Sequence, residues 1–150
     1  MEGIVKVFIA DDSEVVRQRL IDIFAEISGI EIVGQARDAA EAIGSIQKLR
    51  PDAVVLDVRM IGGSGIDVLK RVKKSEPCTV VIMLTNYPYA QYRKRCMAEG
   101  ADYFFDKSAE FEKVAEVVKQ LAEDSRNRTG RYARRKGPTN SKDSRKRQQC

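Results

Sequence analysis

Histidine is absent from all 150 residues of the chain. Its absence excludes a histidine general base, a histidine-rich metal site and a phosphohistidine on this chain. Cysteine is scarce: Cys78, Cys96 and Cys150 are scattered, odd in number and form no CxxC pair. This pattern argues against a redox couple or a zinc site and indicates free thiols in a reducing compartment. Any chemistry on this chain must therefore use other groups.

Long apolar runs are also missing. No stretch approaches the roughly 18 residues of a membrane span, and Met1–Ile4 lacks the basic region that opens a signal peptide. We therefore expect a cytoplasmic protein with no membrane span. The length fits one compact domain plus a tail, which excludes a large multidomain protein.

Charge is distributed unevenly along the chain. Residues 1–125 hold 17 Lys and Arg against 21 Asp and Glu, a net charge of −4, whereas residues 126–150 hold 10 basic residues and one acidic residue, a net charge of +9. The apolar residues are concentrated in the first part. We therefore expect a folded domain over 1–125 and a disordered basic tail over 126–150, because the tail cannot offset its ordering entropy by burial.

Short apolar runs alternate with segments of helical periodicity, which indicates an α/β protein. Parallel strands joined by single helices require right-handed crossovers, so we expect a five-stranded parallel sheet with helices on both faces. The five runs predicted to be strands are Ile4–Ala10, Glu31–Ala36, Ala53–Val58, Val80–Thr85 and Tyr103–Phe105.

Reactive side chains lie near the ends of four of these five runs. Asp11 and Asp12 follow the first, Asp57 lies near the end of the third, Thr85 ends the fourth and Lys107 follows the fifth. Ligands of open parallel sheets bind at the carboxyl ends of the strands. If the strand order is 2-1-3-4-5, the first and third strands are neighbours and the three carboxylates converge. Periodicity alone leaves that order open.

Three converging carboxylates repel one another and call for a compensating cation. An all-oxygen site suits Mg²⁺, which commonly takes one or two carboxylates, waters and a phosphate as ligands. Lys107 and Thr85 would supply a positive charge and a hydroxyl group for two further phosphoryl oxygens. Because carboxylates act as nucleophiles towards phosphorus, this set predicts an aspartyl phosphate site rather than a nucleotide site.

Several short motifs occur in a characteristic order. They are Asp11-Asp12 after Val7–Ala10, the run Pro51–Asp57 with Met60 and Gly65 downstream, Leu84-Thr85, and Gly100-Ala101-Asp102 leading to Lys107. Together they resemble the receiver domain of bacterial two-component response regulators over roughly residues 4–124. The segment Gly29–Ala42 is similar to receivers attached to LuxR-type DNA-binding domains. The resemblance implies a flavodoxin-like (βα)5 fold with strand order 2-1-3-4-5.

The resemblance implies that Asp57 is the phosphoacceptor. It also implies that Asp11, Asp12 and Asp57 bind Mg²⁺ together with the backbone carbonyl of Arg59. Arg59 and Tyr87, two residues past Asp57 and the matching threonine, occupy positions that this family uses to tune the lifetime of the aspartyl phosphate. We therefore expect an altered lifetime, of undetermined sign.

Two switch residues follow from the same resemblance. Thr85 is expected to hydrogen-bond the phosphoryl group and to move inward with it, while Lys107 pairs with a phosphoryl oxygen. The aromatic switch lies three residues before the lysine, which here is Phe104. Tyr103 is one position out of register and should face the other side of the strand.

The same resemblance implies the partners. Because this chain has no histidine, the phosphoryl donor would be a sensor histidine kinase or a histidine phosphotransfer protein. With no output domain in the sequence, we expect a stand-alone receiver. It would signal to a protein target through its fourth helix, fifth strand and fifth helix, or act as a phosphate relay or sink. Such a protein is a phosphoacceptor rather than an enzyme, although it assists its own phosphoryl transfer and dephosphorylation.

Alternatives from other classes stay open. A pseudo-receiver would work as an interaction module that needs no phosphorylation. The tail over 126–150 would bind nucleic acid, a membrane surface or an acidic partner, or would only increase solubility. It has no apolar periodicity and is too short for a helix-turn-helix.

Overall fold

The computed structural model describes residues 3–134, with side chains described as far as residue 127. Strands and helices alternate along this part of the chain. The strands are β1 (Val5–Ala10), β2 (Ile30–Ala36), β3 (Ala53–Leu56), β4 (Arg59–Met60), β5 (Gly63–Ser64), β6 (Val80–Thr85) and β7 (Tyr103–Asp106). The helices are α1 (Glu14–Phe24), α2 (Ala39–Leu49), α3 (Gly65–Ser75), α4 (Ala90–Ala98) and α5 (Phe111–Arg134).

The five longer strands form one parallel sheet in the order β2-β1-β3-β6-β7. When the two short strands β4 and β5 are left out of the count, this is the order 2-1-3-4-5, so the predicted flavodoxin-like topology is confirmed. Strand β1 lies between β2 and β3, with Val7 paired to both Ile32 and Ala53. Ala10 at the end of β1 pairs with Leu56 at the end of β3. The residues that follow these two strands are therefore neighbours.

Two apolar clusters cover the two faces of the sheet. Successive strand residues point to opposite faces, and accordingly Val54 and Leu56 belong to one cluster while Ala53 and Val55 belong to the other. The first cluster includes residues of α2, α3 and α4, and the second includes residues of α1 and α5. All of β3 is buried, and its continuous apolar run is typical of a central parallel strand that is covered on both faces.

Polar caps fix where α1 and α2 begin. The hydroxyl of Ser13 accepts a hydrogen bond from the N–H of Val16 at 3.2 Å, and the carboxylate of Asp38 accepts one from the N–H of Glu41 at 2.8 Å. In a capping box, the side chain three residues after the cap accepts a hydrogen bond from the N–H of the cap residue. Here the carboxylate of Glu41 accepts instead from the N–H of Arg37, the residue before the cap, at 3.3 Å. A capping interaction is therefore present at α2 in a modified form.

The glycine-rich segment after β3 is more regular than a flexible loop. Strands β4 and β5 form a short antiparallel hairpin in which Arg59 pairs with Ser64 and Met60 with Gly63. Gly62, in the turn between them, has a φ angle of +75°, which glycine adopts without steric penalty. The hairpin holds the chain immediately after Asp57 against the start of α3.

Helix α1 is shorter than the spacing of its apolar residues predicts. Val16, Leu20, Ile23 and Ile27 recur at helical spacing, but the helix ends at Phe24. The N–H groups of Glu26 and Ile27 bond to carbonyl groups only three residues back, so the chain leaves the helix through a tighter turn.

Helix α5 continues to Arg134, nine residues past the predicted end of the folded part. The structure therefore differs from the predicted disorder over 126–134. The segment contains no proline, and extending an existing helix needs no new nucleation. A Cβ added at Gly3 would lie 2.9 Å from the side chain of Arg126, so this arginine packs against the start of the chain. Residues 135–150 of the predicted tail lie outside the described residues.

Over residues 3–134, no helix combines the length and the apolar character that a membrane crossing requires.

Candidate functional site

Buried polar side chains are concentrated at the carboxyl edge of the sheet. Among the described residues, the buried polar and charged ones are Asp11, Asp57, Thr79, Thr85 and Lys107. Four of these lie at the carboxyl ends of strands, after β1, β3 and β7 and at the end of β6. Charged side chains are rarely buried without a purpose or a partner. This edge is therefore the candidate site, at the place where open parallel sheets bind ligands.

Three carboxylates come together there, as the sequence predicted. Asp11, Asp12 and Asp57 each offer one carboxylate oxygen, and these oxygens lie within 4.8 Å of one another. Asp11 and Asp57 are buried and Asp12 is exposed, so the cluster opens to solvent on one side. A group of hard oxygen ligands with one open side has the chemistry that Mg²⁺ prefers.

Lys107 joins two of the three acids. Its Nζ lies 2.8 Å from Oδ2 of Asp11 and 3.0 Å from Oδ2 of Asp57, and all three side chains are buried. One lysine bridging two of three aspartates leaves the group with more negative than positive charge. The site is therefore suited to an additional cation.

The oxygens of the cluster differ in how fully they are engaged. Oδ1 of Asp11 accepts a hydrogen bond from the N–H of Ser13 at 2.9 Å, and its Oδ2 contacts Lys107. Oδ1 of Asp57 has a longer contact, 3.4 Å, with the N–H of Arg59. Both oxygens of Asp11 thus have close partners, whereas Asp57 keeps one weakly engaged oxygen.

Burial and neighbouring charge shift the pKa values of the acceptor and the lysine. Burial raises the pKa of Asp57, and repulsion from Asp11 adds to this effect, while Lys107 partly opposes it. Burial alone would lower the pKa of Lys107, but the hydrogen bond to Asp11 and the attraction of both carboxylates together raise it. Lys107 is therefore held in its protonated, positively charged form. It lies beside Asp57, whose ionised form is destabilised by burial and by the charge of Asp11.

Thr85 is fully buried at the end of β6, on the far side of Asp57 from β1. Its hydroxyl accepts a hydrogen bond from the N–H of Tyr87 at 3.0 Å, and its carbonyl accepts one from the N–H of Lys107 at 2.9 Å. The hydroxyl proton is not used in that first bond. Thr85 is thus held between the loop after β6 and the lysine.

Arg59 and Tyr87 contact each other across the loops that follow β3 and β6. The guanidinium carbon of Arg59 lies 4.3 Å from the centre of the Tyr87 ring. Interaction with the hydroxyl of Tyr92, on α4, and with Tyr87 raises the pKa of Arg59. The residue two positions past Asp57 is therefore linked to the loop that holds the hydroxyl of Thr85.

The aromatic residues of β7 point to opposite sides, as predicted. Phe104 is buried, and the guanidinium carbon of Arg93 lies 4.8 Å from the centre of its ring. Tyr103 is exposed, and its ring centre lies 5.8 Å from that of Phe105. The residue predicted to be the switch therefore faces the interior beside α4.

Two residues support the site in ways that the motifs alone do not explain. A Cβ at Gly65 would overlap the carbonyl oxygen of Asp57, so the start of α3 closely approaches the backbone of the acceptor. Arg17, on α1, donates from Nη1 to the backbone carbonyl of Asp11 at 2.8 Å. No motif marked Arg17, because a basic residue one turn into a helix is ordinary in sequence.

The fold and this site together define a class of protein, and comparison with known families agrees. Residues 7–119 match the model of the response regulator receiver domain, about three quarters of the chain. The chain belongs to that family, whose members are phosphoacceptor modules of two-component signalling systems.

Individual relatives support the same assignment. The chain is 29% identical over 117 residues to the response regulator GacA of Pseudomonas aeruginosa, covering 78% of this chain and 55% of that protein. It is 33% identical over 117 residues to the DNA-binding transcriptional activator DevR/DosR of Mycobacterium tuberculosis, covering 78% and 54%. The chain thus spans about half the length of these curated relatives.

Solved structures agree on the fold. The response regulator domain of Thermotoga maritima CheB is 29% identical, with a TM-score of 0.71 over 83% of this chain and 97% of that one. A CheX-CheY complex with BeF3 and magnesium from Borrelia burgdorferi is also 29% identical, with a TM-score of 0.71 over 78% and 88% of the two chains.

Proposed function

We propose that this chain accepts a phosphoryl group on Asp57 from a phosphohistidine of another protein, with Mg²⁺ bound at the acidic cluster. The observation that carries the proposal is the buried Lys107, which bridges Asp57 and Asp11 beside a third carboxylate, Asp12. That arrangement provides a nucleophile, a fixed cation and a set of carboxylate oxygens at one edge of the sheet.

The metal ligands would be carboxylate oxygens of Asp11, Asp12 and Asp57 and the backbone carbonyl of Arg59. These hard oxygen donors fit Mg²⁺ and would not select a soft metal. When bound, the ion would neutralise charge on the phosphoryl oxygens during transfer.

In the transfer, an oxygen of Asp57 forms a bond to phosphorus while the phosphorus–nitrogen bond of the donor breaks. The electron pair of that bond leaves with the donor imidazole. Lys107 already faces Asp57 and would remain beside the phosphoryl group as a charge partner. Burial destabilises the ionised carboxylate of Asp57. Because the attacking oxygen gives up its negative charge when the new bond forms, this destabilisation favours Asp57 as a nucleophile.

Phosphorylation would then change the structure beyond Thr85, on the side of the sheet away from β1. Its hydroxyl, now held by the N–H of Tyr87, would turn to a phosphoryl oxygen and draw that loop inward. Phe104 lies on the neighbouring strand β7, paired with Met83 two residues before Thr85, and would follow this movement. The surface of α4, β7 and α5 carries the resulting change to a downstream protein.

Several features of the proposed role rest on the sequence. A sensor histidine kinase or a histidine phosphotransfer protein is the proposed donor, because the chain contains no histidine. Action without an attached output domain, as a relay or sink, and a binding role for residues 126–150 remain predictions. The location in the cytoplasm is part of the same proposal.

The direct test is covalent labelling. The protein is incubated with Mg²⁺ and a radiolabelled small acyl phosphate, and acid-stable and acid-labile label are separated. We expect acid-labile label on the wild type and none on Asp57→Asn. Asp52→Asn is the matched control, because Asp52 lies at the opposite end of β3 and accepts the N–H of Lys6.

Persistent labelling of Asp57→Asn would overturn the assignment of the acceptor. A wild type that neither binds Mg²⁺ nor takes up label would instead support the pseudo-receiver alternative. Calorimetric titration with Mg²⁺ distinguishes two causes of missing label. A pseudo-receiver binds no Mg²⁺, whereas a receiver given an unsuitable donor still binds it.

A further inference from the structure

Arg17 lies next to the acidic cluster, and the phosphoacceptor role described above gives it no part. It is the fourth residue of α1 and is half-buried. Its Nη1 donates to the backbone carbonyl of Asp11 at 2.8 Å, and its Nε donates to the side-chain oxygen of Gln35 at 2.8 Å. The planar guanidinium thus connects helix α1 to the ends of β1 and β2.

The carbonyl that Arg17 holds belongs to the peptide between Asp11 and Asp12. The carboxylate of Asp11 has its own partners, because the N–H of Ser13 and Lys107 contact its two oxygens. Asp12 is exposed, and the direction in which its side chain leaves the backbone depends on the orientation of that peptide. A bond to the carbonyl therefore acts on Asp12 more than on Asp11.

We propose that Arg17 is a positioning residue for the divalent cation: it orients Asp12 through the Asp11 carbonyl and is itself held in place by Gln35. The inference rests on the proposed function, since it requires that a cation binds at the acidic cluster. It adds a residue that touches neither the cation nor the phosphoryl group. Residues of this kind commonly change metal affinity by about tenfold or more.

Position and charge predict opposite results, which makes the inference testable. The guanidinium is a positive charge next to the site. If charge were its main effect, replacing it with a neutral side chain would strengthen Mg²⁺ binding. If Arg17 acts by positioning Asp12, the same replacement weakens Mg²⁺ binding although it removes a repulsive charge.

The experiment is calorimetric titration of the full chain with MgCl2, using wild type, Arg17→Met, Arg17→Lys and Gln35→Ala. Methionine keeps an apolar stem and removes the donors. We expect about tenfold weaker binding for Arg17→Met. We expect a smaller loss for Arg17→Lys, which keeps the charge and one donor nitrogen, and for Gln35→Ala, which keeps the guanidinium.

Arg19→Met is the matched control. Arg19 lies two residues further along α1, is exposed, and its guanidinium carbon lies 3.9 Å from the centre of the Phe111 ring. Its replacement removes the same charge and the same type of side chain from the same helix. We expect Mg²⁺ binding by Arg19→Met within twofold of the wild type. Thermal unfolding in the presence of a chelator checks that every variant is folded.

Normal binding by the wild type, with equal affinities for Arg17→Met and Arg19→Met, would overturn this inference and leave the proposed function intact. Tighter binding by Arg17→Met would show that its charge matters and not its position. If Arg17→Met fails to fold, Gln35→Ala decides, because unchanged affinity in that variant contradicts the proposed anchoring. A wild type that binds no Mg²⁺ overturns the proposed function and this inference with it.

Discussion

The two ends of the sheet carry charged groups in different ways. At the amino end, two acids have local structural partners: Asp52 accepts the N–H of Lys6, and Asp102 accepts the N–H of Val81 and contacts Lys73. At the carboxyl end, one lysine serves two buried aspartates while a third carboxylate is close by.

The difference indicates what each end is for. The amino end balances its charges within the fold, so its polar groups stabilise the structure without needing a ligand. The carboxyl end keeps an excess of negative charge, and this excess disfavours the folded state until a bound cation offsets it. Clustered, desolvated charge of one sign therefore separates a candidate site from an ordinary polar network.

Lys107 and Lys73 offer the sharpest test of this comparison, because the same residue type serves at both ends. Nζ of Lys73 donates to the carbonyls of Pro77 and Thr79 at 3.2 and 2.6 Å and contacts Asp102 at 3.0 Å. We expect Lys107→Met to lower the rate of acyl phosphate labelling about a hundredfold, as when a fixed charge partner of a transition state is removed.

For Lys73→Met, we expect the stability of the fold to change and the labelling rate to stay the same. We expect labelling within twofold of the wild type but a loss of about 1–3 kcal/mol in the free energy of unfolding, because two carbonyl acceptors lose their donor. Urea unfolding measures the second quantity. Equal labelling rates for the two variants would contradict a functional division between the ends of the sheet.

Two glycines extend the comparison to the backbone. At Gly65 a Cβ would overlap the carbonyl oxygen of Asp57, and backbone cannot move aside easily. At Gly100, near the amino end of β7, φ is +103° and a Cβ would lie 3.2 Å from Cγ of the flexible Lys73 side chain. We expect Gly65→Ala to cost about 3 kcal/mol of unfolding free energy and to slow labelling.

Gly100→Ala should cost less, about 1–2 kcal/mol from the left-handed backbone conformation, and should leave labelling unchanged. Chemical unfolding and acyl phosphate labelling of both variants give the four values needed. Slower labelling in Gly100→Ala would show that the two ends of the sheet are coupled more tightly than their separate contacts suggest.

The sequence was most informative where a residue's role depends on its place at the end of a strand. Alternation of strands and helices, together with the resemblance, predicted the sheet order, and the carboxylates of residues 11, 12 and 57 do converge. Placement after a buried parallel strand is enough to predict which edge a side chain joins, because all carboxyl ends meet there.

Contacts between distant side chains could not be predicted in the same way. The bond from Arg17 to the side-chain oxygen of Gln35 depends on the distance between α1 and β2, and a single sequence does not carry that distance. The continuation of α5 to Arg134 was also missed, because basic composition suggested disorder although arginine favours helices. Amino-acid composition predicts whether a segment can be buried in a core. It does not predict how far an existing helix continues beyond that core.

Contacts between arginine and aromatic rings give a smaller effect at the carboxyl end. Arg59 and Tyr87 lie on two loops of the site, 4.3 Å from guanidinium carbon to ring centre. If this contact sets the lifetime of the aspartyl phosphate, Arg59→Ala and Tyr87→Ala should change the decay rate of the label by similar factors, about two- to fivefold. The double variant should change it no further, because the two residues act as one unit.

Arg50→Ala is the amino-end control for that experiment. Arg50 forms an exposed ion pair with Glu76, at 2.9 Å, outside the site. Its replacement should leave the decay rate unchanged. Additive effects of Arg59→Ala and Tyr87→Ala would contradict action through their contact, even if each variant alone changes the lifetime.

Asp106 gives the smallest expected effect and tests whether position at the carboxyl end is sufficient for a functional role. It ends β7, but it is only partly buried, whereas Asp11 and Asp57 of the acidic cluster are buried. Hydrogen bonds from the hydroxyl and then the N–H of Ser108 lower the pKa of Asp106. Its charge is thus balanced locally, like the charges at the amino end. We therefore expect Asp106→Asn to leave labelling and Mg²⁺ affinity unchanged.

The stability effect of Asp106 has a definite sign. Because its pKa is lower in the folded state, the ionised carboxylate stabilises the fold at neutral pH, and this contribution is lost as pH falls below about 4. The melting temperature of the wild type should therefore exceed that of Asp106→Asn at pH 7, and the difference should shrink towards pH 3. A difference that stays constant with pH would mean that the carboxylate acts through geometry and not charge. A change in Mg²⁺ affinity would place Asp106 with the acidic cluster after all, and burial would then no longer separate functional from structural charges at this edge.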